Sequence, residues 1–180
     1  MSRRRDLATL IVPVSGRDHS LGPDTAPLTL VEYGDYQCPY CKAAHPILHE
    51  VRRMLGTRLR FVFRNFPVSG IHPEAQHAAE AAEAAAAQGK FWPMHDLLFE
   101  RQWALDDEHL LEYAQELGLD ARRVGTELEE GTHRSRVRDD FMSGVRSGVN
   151  GTPTFFINGL RHDGGYDLMS LLAALEQAAA

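Results

Sequence analysis

The sequence contains very little cysteine: its 180 residues include only Cys38 and Cys41, which are separated by two residues. The stabilisation that a disulfide gives to a fold grows with the loop that it closes, so a bridge across this spacing would add little. The scarcity of cysteine therefore excludes a disulfide-stapled scaffold. A catalytic role therefore explains the cysteine pair better than a structural disulfide does.

Long hydrophobic runs and an excess of positive charge are also missing. No segment approaches the length needed to span a bilayer, and a net charge of −6 argues against a nucleic-acid-binding surface. The basic run Arg3–Arg5 precedes an apolar stretch from Leu7 to Val14, but Thr9 and Pro13 interrupt that stretch and no small-residue cleavage site follows. We therefore expect no membrane span, no nucleic-acid partner and a cytoplasmic location. The alternative is an exported protein whose targeting segment is absent from this sequence.

The cysteine spacing also bears on metal binding. A tetrahedral zinc site would need two further ligands in addition to Cys38 and Cys41. His45 and His49 lie one and two turns beyond Cys41, so counting ligands leaves a metal site open. We favour a redox-active pair over a metal site or an inert pair, and we expect neither a metal nor an organic cofactor.

The hydrophobic pattern predicts an alternation of strands and helices. Leu28–Tyr33 is a short β-branched and aliphatic run that reads as a strand, and Leu59–Arg64 alternates as a second strand would. Between them, apolar residues at helical spacing predict a helix from Pro39 to about Leu55. Before Asp24 the pattern is weaker, with one possible edge strand near Leu10–Val14.

The middle of the sequence is predicted to be helical and its end to return to strands. An alanine-rich helix opens at His72–Pro73 with proline in its first turn, and further helical segments follow. Strand signals return at Thr154–Ile157, where Asn158–Gly159 favours a hairpin turn into a strand at Leu160–His162. A last helix begins near Asp167. The predicted fold class is α/β, a mixed sheet flanked by helices in a single domain over residues 1–180, with a helical insertion at about 67–149.

The four residues Cys38-Pro39-Tyr40-Cys41 lie at the start of the first predicted helix. Proline is preferred at the first helical position, which makes Cys38 the N-cap, facing unsatisfied backbone N–H groups and the positive end of the helix dipole. A thiol attacks a disulfide only as its thiolate, and this environment lowers a cysteine pKa. We therefore predict that Cys38 is the exposed nucleophile and that Cys41, inside the first turn, is the buried resolving thiol.

Several further features accompany the pair, and together the chain resembles the thioredoxin superfamily. Pro46 lies eight residues after Cys38, where the superfamily carries a kinking proline in its active-site helix, and Thr152-Pro153 before the Thr154–Ile157 strand is similar to its cis-proline loop. About a hundred largely helical residues separate Cys41 from Pro153, as in the DsbA-like branch. The resemblance covers roughly residues 24–177. The Pro-Tyr dipeptide is the one found in glutaredoxins, and it lacks the histidine of the most oxidising relatives.

The resemblance implies roles for residues around the cysteines. Glu32 falls where family members carry a buried acid, which would have a raised pKa and exchange a proton with Cys41; the alternative is a solvated edge-strand residue or a salt-bridge partner of Arg64. A cis Pro153 would leave the main chain of Thr152 free to pair with an extended substrate. We expect four residues to contact the substrate: Pro39, Tyr40, Thr152 and Pro153.

The predicted function is dithiol–disulfide exchange with protein substrates, by a monomer that also needs a redox partner the sequence does not identify. Two alternatives stay open. The Cys-Pro-Tyr-Cys string also suggests a glutathione-dependent, glutaredoxin-like reductase, and the pair could instead belong to a redox-inert binding or chaperone module. The sequence does not indicate the direction of exchange.

Overall fold

The computed structural model describes residues 8–180, and the basic run at Arg3–Arg5 lies outside this range. Its strands are β1 (His19–Leu21), β2 (Leu28–Gly34), β3 (Leu59–Asn65), β4 (Thr154–Ile157) and β5 (Leu160–His162). Its α-helices are α1 (Pro39–Leu55), α2 (Ala75–Ala87), α3 (Phe91–Glu100), α4 (Asp107–Glu116), α5 (Ala121–Glu130), α6 (Arg134–Arg146) and α7 (Leu168–Ala179).

The five strands form one mixed sheet in the order β1-β3-β2-β4-β5. The central strand β2 runs parallel to β3 and antiparallel to β4, while β1 and β5 pair antiparallel at the two edges. The five helices α2–α6 lie between β3 and β4 in the chain. The predicted fold class, a thioredoxin-like mixed sheet flanked by helices, is confirmed.

Side chains alternate between the two faces of β2, and each face has its own apolar layer. Leu28 and Leu30 belong to the larger core, together with Cys41 of α1 and Leu171 of α7. The opposite face packs a smaller cluster, whose buried members are Val31, Tyr33, Val62, Phe66, Val149 and Phe156. Because β2 is central and covered on both faces, its residues are buried except Thr29, which is half-buried.

Helix α1 carries the cysteines, and its bounds are those that the sequence predicts. Cys38 is its N-cap with φ −73° and ψ 121°, and Pro39 occupies the first turn. Pro46 lies inside the helix, where it has no N–H to donate to the preceding turn. Gly56 ends the helix at φ 53°, a left-handed conformation that favours glycine, and donates its N–H to the Arg52 carbonyl.

Two sequence predictions differ from the structure. The possible edge strand at Leu10–Val14 is wrong, because the edge strand is β1 and the Val12 and Pro13 carbonyls accept hydrogen bonds from Arg64 instead. The alanine-rich helix begins at Ala75, two residues after Pro73. Within the described part of the chain, no helix combines the length and apolar character that crossing a membrane requires.

Candidate active site

The site lies where strand β2 leads through a short turn into helix α1. The Cys38 N–H donates to the Asp35 carbonyl at 3.1 Å, and the Lys42 N–H donates to the Cys38 carbonyl at 3.1 Å. The first bond closes the turn and the second begins the helix. Cys38 therefore stands at the positive end of the α1 dipole, while Cys41 points into the core from the first turn.

Cys38 is less accessible than the sequence analysis predicts. Its exposed fraction is only 3%, against 0% for Cys41, so the prediction of an exposed Cys38 is wrong, although Cys41 lies deeper in the protein interior. The Thr152 carbonyl lies 3.4 Å from the Cys38 sulfur and accepts a hydrogen bond from the protonated Cys38 thiol. Because Thr152 is distant in the sequence, the position of Cys38 at the start of its helix could not predict that Thr152 would shield the sulfur from solvent.

The two sulfurs also differ in their ionisation. A hydrogen bond from the Cys41 thiol, helped by the Thr152 side chain and by the N–H groups of Cys41 and Tyr40, lowers the pKa of Cys38 to about 5 against the opposing effect of burial. Burial raises the pKa of Cys41 well above its ordinary value, and its bond to Cys38 and the Glu32 charge act in the same direction. At neutral pH the pair therefore holds one thiolate, on Cys38, and one thiol, on Cys41.

Glu32 is buried on the central strand, on the same face as Leu28 and Leu30. Its exposed fraction is 1%, and its Oε1 atom has no hydrogen-bond partner among the described residues. Burial, with a smaller contribution from the Cys38 charge, raises the pKa of Glu32 to about 8. Arg64 is not its partner, because that guanidinium donates to Asp18 at 2.8 Å on the other face of the sheet.

The remaining predicted site residues surround the sulfurs. The peptide bond between Thr152 and Pro153 is cis, and both side chains are half-buried beside Cys38. Tyr40 is 64% exposed and Pro39 is exposed as well, so these two form the outer surface of the helix start. The structure thus brings the Thr152–Pro153 segment, through the Thr152 carbonyl, to Cys38, whose next two residues along the chain are Pro39 and Tyr40.

Two positioning residues were missed by the sequence analysis. Gln102, in the turn after α3, donates from Nε2 to the Tyr36 and Cys38 carbonyls, both at 2.8 Å. The buried Asp35 carboxylate accepts from the Gln37 N–H at 2.7 Å and the Val68 N–H at 2.8 Å. An Asp side chain that accepts from the N–H two residues further along forms an Asx-turn, and this pattern could have indicated Asp35. No local pattern indicates Gln102.

A family model described as "Thioredoxin" matches residues 14–177, which is most of the chain and includes both cysteines and Pro153. The chain belongs to the thioredoxin family. The helices between β3 and β4 and the overall superposition with solved structures give it a DsbA-like fold.

Three solved structures illustrate the similarity. BdbD from Bacillus subtilis, in its oxidised form, superimposes with a TM-score of 0.82 at 25% identity, covering 90% of this chain and 92% of that one. A thioredoxin-like oxidoreductase from Silicibacter pomeroyi DSS-3 gives 0.80 at 27% identity, covering 91% and 93%. For alpha-DsbA1 from Wolbachia pipientis the TM-score is 0.79 and the coverage 94% of each chain, and at 20% identity this likeness concerns the fold alone.

A curated relative is similar in sequence over the same region. The Na(+)/H(+) antiporter NhaA 1 of Salinispora arenicola (strain CNS-205) is 48% identical over 170 residues, which are 94% of this chain but 26% of that protein. The chain thus spans about a quarter of the length of the curated relatives it matches. The name of the relative describes the longer protein.

Proposed function

We propose that the chain catalyses thiol–disulfide exchange with protein substrates through Cys38 and Cys41. The observation that carries the proposal is the pair of sulfurs at the start of α1, one with its pKa lowered to about 5 and the other held as a thiol. The similarity of the chain to a thioredoxin-like oxidoreductase from Silicibacter pomeroyi DSS-3, at 27% identity, supports the same reaction class.

In the reducing direction, the Cys38 thiolate attacks one sulfur of a substrate disulfide. A Cys38–substrate mixed disulfide forms and the other substrate sulfur leaves as a thiolate. Cys41 then loses its proton and attacks the Cys38 sulfur, which closes the Cys38–Cys41 disulfide and releases the second substrate thiolate. Two electrons pass from the protein to the substrate, and the reverse sequence oxidises a substrate dithiol.

Glu32 is proposed to take the proton that Cys41 loses. A carboxyl with a pKa of about 8 holds and releases a proton near neutral pH, and it lies beneath a thiol that cannot reach water. The Thr152 main chain, next to the cis bond, is proposed to align an extended substrate segment against Cys38. Pro39 and Tyr40, both exposed beside Cys38, would contact the same segment.

The proposed enzyme works as a monomer, and its compartment decides the direction of exchange. In a reducing cytoplasm the pair would be mostly a dithiol, whereas an exported form would be mostly a disulfide. We propose a cytoplasmic location, with export as the alternative. Fractionation of the native host's cells, with the redox state of Cys38 and Cys41 read by alkylation, decides between the two.

The proposed function is tested by exchange assays on two model peptides, one with a single disulfide and one with the corresponding dithiol. The reduced protein is expected to reduce the first and the oxidised protein to oxidise the second, each with loss of activity in Cys38→Ser. No exchange in either direction would favour the redox-inert module. Turnover of a glutathionylated peptide by Cys41→Ser, with Cys38 alone, would favour the glutaredoxin-like reductase.

A further inference from the structure

A cluster of imidazole and carboxylate groups lies between α1 and α3, apart from the two sulfurs. His45 and His49 occupy one face of α1, one turn apart, and His95 and Asp96 come from α3. The Nε2 atoms of His45 and His49 approach the same oxygen of Asp96, Oδ1, at 3.3 Å and 3.2 Å. His45, His95 and Asp96 each offer a ligand atom within 4.8 Å of the others.

The two separations from Asp96 suit a small tetrahedral metal ion, and His49 joins the cluster of His45, His95 and Asp96 through Asp96. Zinc binds imidazole nitrogen and carboxylate oxygen at about 2.0–2.1 Å, and the edge of a tetrahedron with such bonds is about 3.3–3.4 Å. The N···O separations of 3.3 Å and 3.2 Å are close to that edge. Three nitrogen donors and one oxygen also match the borderline chemistry of zinc and its first-row neighbours better than that of calcium or magnesium, which prefer oxygen.

The surroundings of the cluster favour a formed site. His95 is buried and its Nδ1 is hydrogen-bonded to the Tyr36 hydroxyl at 2.9 Å, which fixes the ring and leaves Nε2 for a ligand. Metal-binding histidines are commonly oriented in this way by a bond to the second ring nitrogen. His49 and Asp96 are 47% and 37% exposed at their side chains, so an ion can enter from the solvent side.

We propose that His45, His49, His95 and Asp96 form a binding site for a divalent first-row transition ion of the Zn²⁺ class. A bound ion would bridge helix α1, at whose start the active-site cysteines lie, and helix α3. This site departs from our expectation that the chain needs no metal, and it uses neither cysteine. It is independent of the proposed exchange reaction, because a protein without redox activity could hold the same ion.

The experiment is a calorimetric titration of Zn²⁺ into the untagged, full-length protein. Cys38 and Cys41 are first oxidised to the disulfide so that thiolates cannot bind the ion, and the titration is repeated with the Cys38→Ser/Cys41→Ser double variant. We expect one Zn²⁺ per chain in both forms, and a rise in melting temperature with Zn²⁺ concentration. Ca²⁺ should produce neither effect.

The variants His49→Gln and Asp96→Asn change exposed ligands, so their folding is expected to survive and is checked by circular dichroism. Each should weaken Zn²⁺ binding by at least the roughly 10- to 100-fold that loss of an outer-shell partner costs. His77→Gln is the matched control, because His77 on α2 forms a similar exposed pair with Asp107 on α4, and it should leave the affinity unchanged. Absence of Zn²⁺ binding to the oxidised protein, equal affinity in His49→Gln, or equal binding of Ca²⁺ would overturn the proposal.

Discussion

Replacing Cys41 by alanine or by serine separates the effect of its hydrogen bond from the loss of its thiol. In the structure the Cys41 thiol is the largest cause of the lowered pKa of Cys38. Alanine removes that donor, whereas serine keeps an O–H in its place. Both variants have Cys38 as their one cysteine, so any measured titration belongs to it.

The size of the effect follows from the energy of one hydrogen bond to a charged group, which is about 1.5–3 kcal/mol. One pKa unit corresponds to about 1.4 kcal/mol, so Cys41→Ala is expected to raise the pKa of Cys38 by about one to two units above the value in Cys41→Ser. The alkylation rate rises with pH through this pKa and then levels off, so its midpoint measures the pKa directly. Coincident midpoints in the two variants would refute the assignment of the hydrogen bond.

Three further predictions concern Glu32, the redox potential and Gln102. Glu32→Gln should slow closure of the Cys38–Cys41 disulfide by roughly 100-fold or more while leaving the first attack nearly unchanged; stopped-flow measurement of both steps checks this, and equal slowing would return Glu32 to a structural role. The nucleophilic cysteine of thioredoxin has a pKa of about 7. A Cys38 pKa of about 5 therefore favours the dithiol form at pH 7 by about 2 kcal/mol more, which corresponds to about 50 mV. Added to the potential of thioredoxin, about −270 mV, this gives an expected potential near −220 mV and within roughly −150 to −240 mV. Equilibration with a glutathione buffer measures it, and a value as low as thioredoxin's would contradict the pKa argument. Gln102→Leu should lower the free energy of unfolding by about 1–3 kcal/mol, because two carbonyls at the start of α1 lose their donor; urea denaturation against wild type tests this, and no change would mean that water replaces the amide.

Features of the site that depend on neighbouring residues could be predicted from the sequence. Pro39 in the first helical position indicates where α1 begins and makes Cys38 its N-cap, and the structure has both. The alternation along β2 puts Glu32 on the same face as two buried leucines, and the carboxylate is buried there. Each of these inferences needs only the spacing of side chains along one helix or strand and the residue preferences at its ends.

Features that depend on distant residues could not be predicted in the same way. The Thr152 carbonyl and the Gln102 amide reach Cys38 from 114 and 64 residues away, so the burial of the nucleophile has no local signal. The edge strand β1 has only three residues and is defined by its pairing with β3. The apolar run at Leu10–Val14 did not become a strand, and its Val12 and Pro13 carbonyls accept hydrogen bonds from the distant Arg64 instead.

The central claim is that Cys38 attacks the substrate and Cys41 resolves the intermediate. Trapping the mixed disulfide tests it most directly: each single variant, Cys41→Ser and Cys38→Ser, is incubated with a disulfide-bonded peptide and the covalent product is measured by intact-protein mass spectrometry. Cys41→Ser should accumulate a stoichiometric adduct at neutral pH, because its thiolate attacks and nothing resolves the product, whereas Cys38→Ser should form almost none with its buried thiol. A larger adduct on Cys41 in Cys38→Ser than on Cys38 in Cys41→Ser would contradict the assignment.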